Sequence, residues 1–155
     1  MNLTDLIRLK PVVFPARGDE SIELEGMLHY LDGTGQWPAA VVCHPHPMGG
    51  GSMNNGIVVA IARALVQRGI VTLRFNFRGA GRSGGRHEGG RGEQADVAGA
   101  IDWLLAQPAV EQLEFAKHLQ FKEPISVKIN GHKNIGIILK PGMTAPIIYL
   151  FSCCC

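Results

Sequence analysis

The sequence predicts an α/β fold: a mostly parallel sheet with antiparallel strands at its amino-terminal end, helices on its faces, and a β-rich carboxy-terminal tail of open placement. Three observations predict it. A continuously apolar run, Ala39 to Cys43, is followed by a segment of helical period and then by an alternating strand, which is the order of a parallel β-α-β unit. Two strand-like segments joined by turn residues precede that unit. The chain has 155 residues, 46% hydrophobic and 18% charged, enough to bury one core and too few to promise two.

Each element follows from local pattern. Pro11 to Phe14 reads as the first strand of a hairpin, with Arg17, Gly18 and Asp19 as its turn. Ser21 to Tyr30 sets Ile22, Leu24, Leu28 and Tyr30 against Glu23, Glu25 and His29, as in a half-exposed antiparallel strand, and Gly26 suggests a bulge. Asp32 to Pro38 is a loop, and Ala39 to Cys43 is apolar throughout, as a strand covered on both faces would be. Asn55 to Gln67 carries Ile57, Ile61 and Leu65 at helical spacing, and Gly69 stands where helices often stop. Val71 to Arg78 alternates Val71, Leu73, Phe75 and Phe77 with Thr72, Arg74, Asn76 and Arg78, giving a second parallel strand. Arg74 and Asn76 read simply as its polar side. Gly79 to Gly92 is a glycine-rich loop. Glu93 to Gln107 returns to helical period, with Glu93 and Asp96 near its start and Pro108 closing it.

Beyond Pro108 the composition changes. The basic residues before it are nine arginines and Lys10, whereas after it they are Lys117, Lys122, Lys128, Lys133 and Lys140. Such a switch marks a domain boundary, a fusion or a foreign reading frame. The tail reads as a short helix at Glu111 to Gln120, a hairpin of Ile125 to Ile129 and Ile135 to Leu139 across Asn130 and Gly131, and a last strand at Ile147 to Phe151.

Charge and cysteine usage narrow the function classes. The formal charge of +2 is spread over interspersed acids and bases, so neither a nucleic acid nor a membrane surface is expected as partner. No stretch approaches the roughly 20 apolar residues of a spanning helix, and the first ten residues lack an apolar leader, so the expected location is cytoplasmic. Cys43 sits in an apolar run, and Cys153, Cys154 and Cys155 are adjacent, which gives no disulfide framework. A prenylation box needs cysteine where Ser152 stands.

The chemistry is expected in the stretch CHPHPMGGGSMNN, Cys43 to Asn55, between a buried strand and a helix. Ligands of parallel sheets gather at the carboxyl ends of strands, and amides at a helix start favour negative charge. Gly49, Gly50 and Gly51 allow close backbone approach. Pro45 and Pro47 carry no N–H, which leaves His46 and the residues from Met48 onward as donors for an oxyanion. His44 and His46 have metal-ligand character but no evident third ligand, and no metal or other cofactor is expected.

HPHPMGGGSMNN, then LRFNFRGAGRSGG, then GRGEQADVAGAIDWL together resemble the amino-terminal half of a dienelactone-hydrolase-like branch of the α/β-hydrolase superfamily. The resemblance covers about residues 21–107, so residues 1–107 read as half of an α/β-hydrolase-like domain and 108–155 as an atypical tail. It implies a serine hydrolase of esters or related acyl compounds. The loop after the third strand would supply the oxyanion hole through the amide of His46, with Met48 as a second donor. His44, Gly49, Gly50, Gly51, Arg78, Gly79 and Gly81 would line the substrate site, His44 shaping the loop rather than taking a proton. The strand and G-x-S-x-G nucleophile elbow that such an enzyme needs next do not follow Pro108.

Two motifs in the second loop are decoys. Gly81 to Gly85 spells G-x-S-x-G, with Asp102 and His132 following in triad order. Glycine-rich sequence nevertheless continues to Gly92 where an elbow needs a helix at once, so Ser83 is an unlikely nucleophile and the nucleophile is unknown. Gly79, Gly81 and Gly84 match G-x-G-x-x-G without the helix and later acid of a dinucleotide site. The alternatives are therefore a truncated or chimeric, inactive hydrolase derivative and a small anion-binding module. Self-association through an exposed sheet edge is expected if the tail leaves one uncovered.

Overall fold

The computed structural model describes residues 3–33, 37–45, 49–108, 125–129, 132–138 and 147–152, the last three segments through their backbone. Strands β1 (Ile7–Ala16) and β2 (Asp19–Leu31) form an antiparallel hairpin. The chain continues through β3 (Ala39–Val42), helix α1 (Gly56–Val66), β4 (Val71–Phe75) and helix α2 (Arg91–Leu105). Three further strands, β5 (Ile125–Ile129), β6 (His132–Ile138) and β7 (Ile147–Ser152), complete a mixed sheet of order β1-β2-β4-β3-β7-β6-β5. β3 pairs in parallel with β4 and with β7, and the other neighbours are antiparallel. No helix among the described residues is long and apolar enough to cross a membrane.

The predicted hairpin is present and longer than its apolar pattern indicates, with Gly18 at φ 77° in its turn. The register irregularity lies at Pro15/Ala16, so the bulge expected at Gly26 is absent. Gly26 has a different reason to be small. A Cβ there would come within 3.1 Å of the Arg74 carbonyl oxygen and of the Leu73 side chain, as β2 packs beside β4.

Alternation on β4 sorts the molecule into two layers. Val71, Leu73, Phe75 and Phe77 join Val12, Phe14, Leu24, Leu28, Val41 and the α2 residues Val97, Ala100, Ile101 and Leu104 in the main core. Phe14 and Phe75 meet edge to face at 5.7 Å, a favoured aromatic geometry. A smaller cluster around Val42 and Val58 packs α1 on the other side. Under α1, Thr72, Arg74 and Asn76 of the β4 segment are all buried, as are Glu25 and His29 of β2. The expected half-exposed face of β2 is thus covered at Glu25 and His29 while Glu23 stays exposed, and the polar side of β4 faces inward.

The ladder of β4 ends at Phe75, three residues short of the predicted Arg78: the Asn76 N–H still reaches the Glu25 carbonyl of β2, but its own carbonyl accepts from Ser83 Oγ. α2 starts at Arg91, two residues before expectation, with the Glu93 carboxylate accepting the Gly90 N–H at 2.7 Å and the Glu88 N–H at 2.9 Å. Burial raises the Glu93 pKa, but these bonds and His87 outweigh it and hold it below the ordinary value. Arg17 closes the layer from outside, its Nε donating to Asp102 of α2 at 2.6 Å.

In the tail, β5 falls where expected, β6 begins three residues earlier than the pattern suggests, and β7 runs one residue longer. The tail hairpin sits at the far edge, and β7 intervenes between it and β3. The predicted helix at 111–120, the turn at Asn130 and Gly131, Leu139, and the three terminal cysteines lie outside the described residues.

Candidate functional site

Two loops leave the carboxyl ends of the parallel strands β3 and β4, residues 43–55 and 76–90, and meet on the polar side of β4. The first loop is gripped near its end by two side chains, Arg74 of β4 and Asn76 just past its end. Met53 donates its N–H to Asn76 Oδ1 at 2.7 Å and accepts at its carbonyl from Arg74 Nη1 at 2.8 Å. Arg74 also donates to Asn54 Oδ1 at 2.8 Å and, through Nε, to His29 Nε2 at 3.0 Å. Both backbone groups of Met53 are thereby satisfied in a place closed to water, where an unmade bond costs about 1–3 kcal/mol. Asn55 then caps α1, its Oδ1 accepting the Ile57 N–H at 3.0 Å.

His44 is almost wholly buried, and both of its ring nitrogens are engaged. Phe77 donates its N–H to Nε2 at 3.2 Å, so the proton belongs on Nδ1, which lies 2.6 Å from the Pro45 carbonyl oxygen. Burial pushes its pKa down more than the Pro45 bond raises it, which keeps the ring neutral. The residue ties the start of the first loop to the start of the second. His46 and Met48, the two expected amide donors, lie outside the described residues. Gly49 and Gly50 are exposed and Gly51 is half-buried, with Gly50 at φ 77°.

The second loop folds back on the first half of β2. Gly79 donates its N–H to the Gly84 carbonyl at 3.0 Å, and Gly84 donates to Glu23 at 2.8 Å. Ser83, buried, donates Oγ–H to the Asn76 carbonyl at 2.7 Å and accepts the Glu25 N–H at 3.0 Å. A hydroxyl with its proton held by a backbone carbonyl is not poised for attack. Asp102, the decoy acid, is spent on Arg17. The Glu25 carboxylate accepts from Asn76 Nδ2 at 2.7 Å, the Arg82 N–H at 2.6 Å and Arg82 Nε at 2.9 Å. Burial raises its pKa, but the Arg82 and Asn76 bonds prevail and keep it ionised below the usual range.

Arg78, expected on the substrate wall, is paired with acidic side chains. Its guanidinium is buried, donating to Asp96 through Nε at 3.0 Å and Nη2 at 2.8 Å, and to Glu88 through Nη1 at 2.9 Å. It fastens α2 to the end of β4. Gly79 and Gly81 keep the loop on this network by their positive φ of 74° and 53°. Beside the second loop a cavity of about 380 Å³ is lined by Phe77, Gly90, Glu93, Gln94 and Val97. Among the described residues no group of three or more His, Cys, Asp or Glu gathers to hold a metal. Arg74, Asn76 and Glu25 are the site residues that sequence reading missed. Their signal was the alternation of polar residues on strands whose two faces are both covered.

With this geometry in view, the comparisons with known proteins are informative. Residues 20–113 match the model of the X-Pro dipeptidyl-peptidase (S15) family. An uncharacterized protein of Rickettsia prowazekii is 48% identical over 67 residues, which are 43% of this chain and 28% of that protein. Among solved structures, a putative α/β hydrolase from Agrobacterium tumefaciens is 41% identical with a TM-score of 0.56, over 62% of this chain and 42% of the other. An α/β serine hydrolase without lid from Xanthomonas campestris is 32% identical with a TM-score of 0.58, over 68% of this chain and 48% of the other. The chain therefore spans less than half the length of these relatives. The superfamily indicated by the three motif blocks is the one these comparisons reach, and the family model among them is that of S15.

Proposed function

Because the chain belongs to the X-Pro dipeptidyl-peptidase (S15) family of α/β hydrolases, we propose that it carries the oxyanion loop and one wall of the substrate site of a serine hydrolase. The observation that supports this best is the grip of Arg74 and Asn76 on Met53, which fixes a glycine-rich loop at the carboxyl ends of parallel strands. A preorganised run of backbone donors in that place suits the negative oxygen of a tetrahedral intermediate. The donors we assign are the amides of His46 and Met48, with Gly49, Gly50 and Gly51 giving access for the substrate.

The substrate class is an ester or related acyl compound. The name of the matching family adds peptide amides, whose hydrolysis passes through the same oxyanion. In the reaction a serine hydroxyl adds to the acyl carbon as a carboxylate-backed histidine takes its proton, and the collapsing intermediate expels the alcohol or amine. His44 serves the loop and is not that histidine, since its Nε2 already accepts from Phe77. We place the protein in the cytoplasm, where the Cys43 thiol, buried and pushed up to about 12, stays protonated and inert.

A second reading is favoured by Ser83, whose hydroxyl is committed at both ends: the chain keeps the hydrolase scaffold without turnover of its own. Exposure to a fluorophosphonate probe and to a short p-nitrophenyl ester separates the two. The hydrolase reading expects ester cleavage that the probe abolishes, with the adduct mapping to a serine outside residues 79–90. Absence of both cleavage and adduct supports the second reading, and an adduct on Ser83 overturns the assignment of that residue as structural.

A further inference from the structure

We propose that Asn76 is a positioning residue that sets the two glycine-rich loops in a fixed relation to each other. It is 2% exposed and stands just past the end of β4. Its N–H donates to the Glu25 carbonyl at 2.9 Å, and its own carbonyl accepts from Ser83 Oγ at 2.7 Å. Its Oδ1 accepts the Met53 N–H at 2.7 Å, and its Nδ2 donates to Glu25 Oε1 at 2.7 Å. One residue thus reaches the first loop at Met53, the second at Ser83, and β2 at Glu25.

The chemistry at this position is narrow. Met53 offers only a donor and the Glu25 carboxylate only acceptors, so the residue between them must present one acceptor and one donor in a short, planar group. Asparagine does so. Aspartate would still receive Met53 but would set a second negative charge against Glu25, and an aliphatic side chain would satisfy neither. The bridge continues past Glu25, whose Oε1 also accepts the Arg82 N–H at 2.6 Å, giving a path from Met53 through Asn76 and Glu25 to Arg82. Gly81 shows how closely the second loop is seated on this pair. A Cβ there would run into both the Asn76 amide and the Glu25 carboxylate.

The catalytic meaning rests on the function proposed above: if residues 43–55 hold the oxyanion and residues 79–90 form the wall, their relative position sets how well the site is preorganised. The coupling itself is measured without turnover, so failure of the hydrolase reading leaves it open to test. Amide hydrogen exchange on the full chain reads it residue by residue. In Asn76→Ala, exchange at Met53 and Arg82 rises about tenfold or more, as expected when a buried hydrogen bond is lost, while Leu73 and Val41 keep their rates. In Asn76→Asp, Met53 stays protected and Arg82 loosens, because the acceptor is kept and Glu25 is repelled. In Glu25→Gln, Arg82 loosens and Met53 again holds. A residue with a merely structural role would not divide the two loops in this way. Unchanged exchange at both amides in Asn76→Ala overturns the proposal. So does a parallel rise at both in the aspartate and glutamine variants, which also decide the matter if the alanine variant does not fold.

Discussion

On one face of β4, Val71, Leu73, Phe75 and Phe77 pack against β1, β2 and α2, while on the other Thr72, Arg74 and Asn76 lie buried beneath α1 and its approach loop. The first face has no hydrogen-bonding demand and is held by contact area alone. The second is as dry, yet Arg74 is hydrogen-bonded to Met53, Asn54 and His29, Asn76 to Met53 and Glu25, and Thr72 to the Ile70 carbonyl. The apolar face therefore determines whether the sheet forms, and the polar face determines where the loops lie. Substitutions on the two faces should differ in kind as well as in size.

The largest effect belongs to the apolar face. Phe75 is fully buried and stacks edge to face on both Phe14 and Phe77. Phe75→Ala removes these contacts and leaves a cavity, at a cost of about 3–5 kcal/mol. Chemical denaturation should show the loss as a lower midpoint with one cooperative transition, and it should raise amide exchange throughout the sheet. A loss confined to the loops would show that the two faces are not separable.

The next effect is a pH response on the polar face. His29 is 1% exposed; burial, then Arg74 on β4 and Arg63 on α1, push its pKa from 6.5 to about 4. Between those values the unfolded chain binds the extra proton and the folded chain does not, so stability rises with pH across the window and is lost as pH falls from about 6.5 to about 4. The gap corresponds to about 3 kcal/mol. Glu25 and Glu93, whose folded values are depressed, give up their contributions only as pH falls below the ordinary carboxylate range. His29→Gln keeps an acceptor for Arg74 Nε and has no proton to take up. Denaturation midpoints of this variant should decline less from pH 6.5 to 4.5 than those of the parent, the remaining decline belonging to His44, whose pKa burial also lowers, and a parent no steeper than the variant would remove His29 from the account.

The same two faces explain what could be read from the sequence. The order of strands and helices through Leu105 was legible because hydrophobic period reports burial directly, and the parallel pairing of β3 with β4 followed from the helix between them. Arg74 and Asn76 were misread because alternation separates faces without saying whether the polar one meets water. The partner of Arg78 was hidden for a related reason: Asp96 is one turn inside α2, and only the folded chain brings the two together. Gly26 gave a bulge signal that is equally the signal of close strand approach. The loop from Cys43 to Asn55 was found by its composition and its position between strand and helix, which are local properties, while the side chains that hold it come from β2 and β4.

The smallest predicted effect tests whether the helix start and the loop grip are independent. Asn55 caps α1 through Ile57 and makes no bond to Arg74 or Asn76, which act one and two residues earlier in the loop. Asn55→Ala should cost about 1 kcal/mol, the usual loss for a cap, and should free the first-turn amide of Ile57. Met53 should keep its protection, because its two partners stand in β4 and just past its end and do not depend on the cap. If Met53 exchanges as fast as Ile57 in this variant, the loop is held by the helix and the polar face of β4 only lies alongside it. If Ile57 alone is released, the grip belongs to the strand, and the position of the glycine-rich segment is set by the same residues whether or not the first turn of α1 is intact.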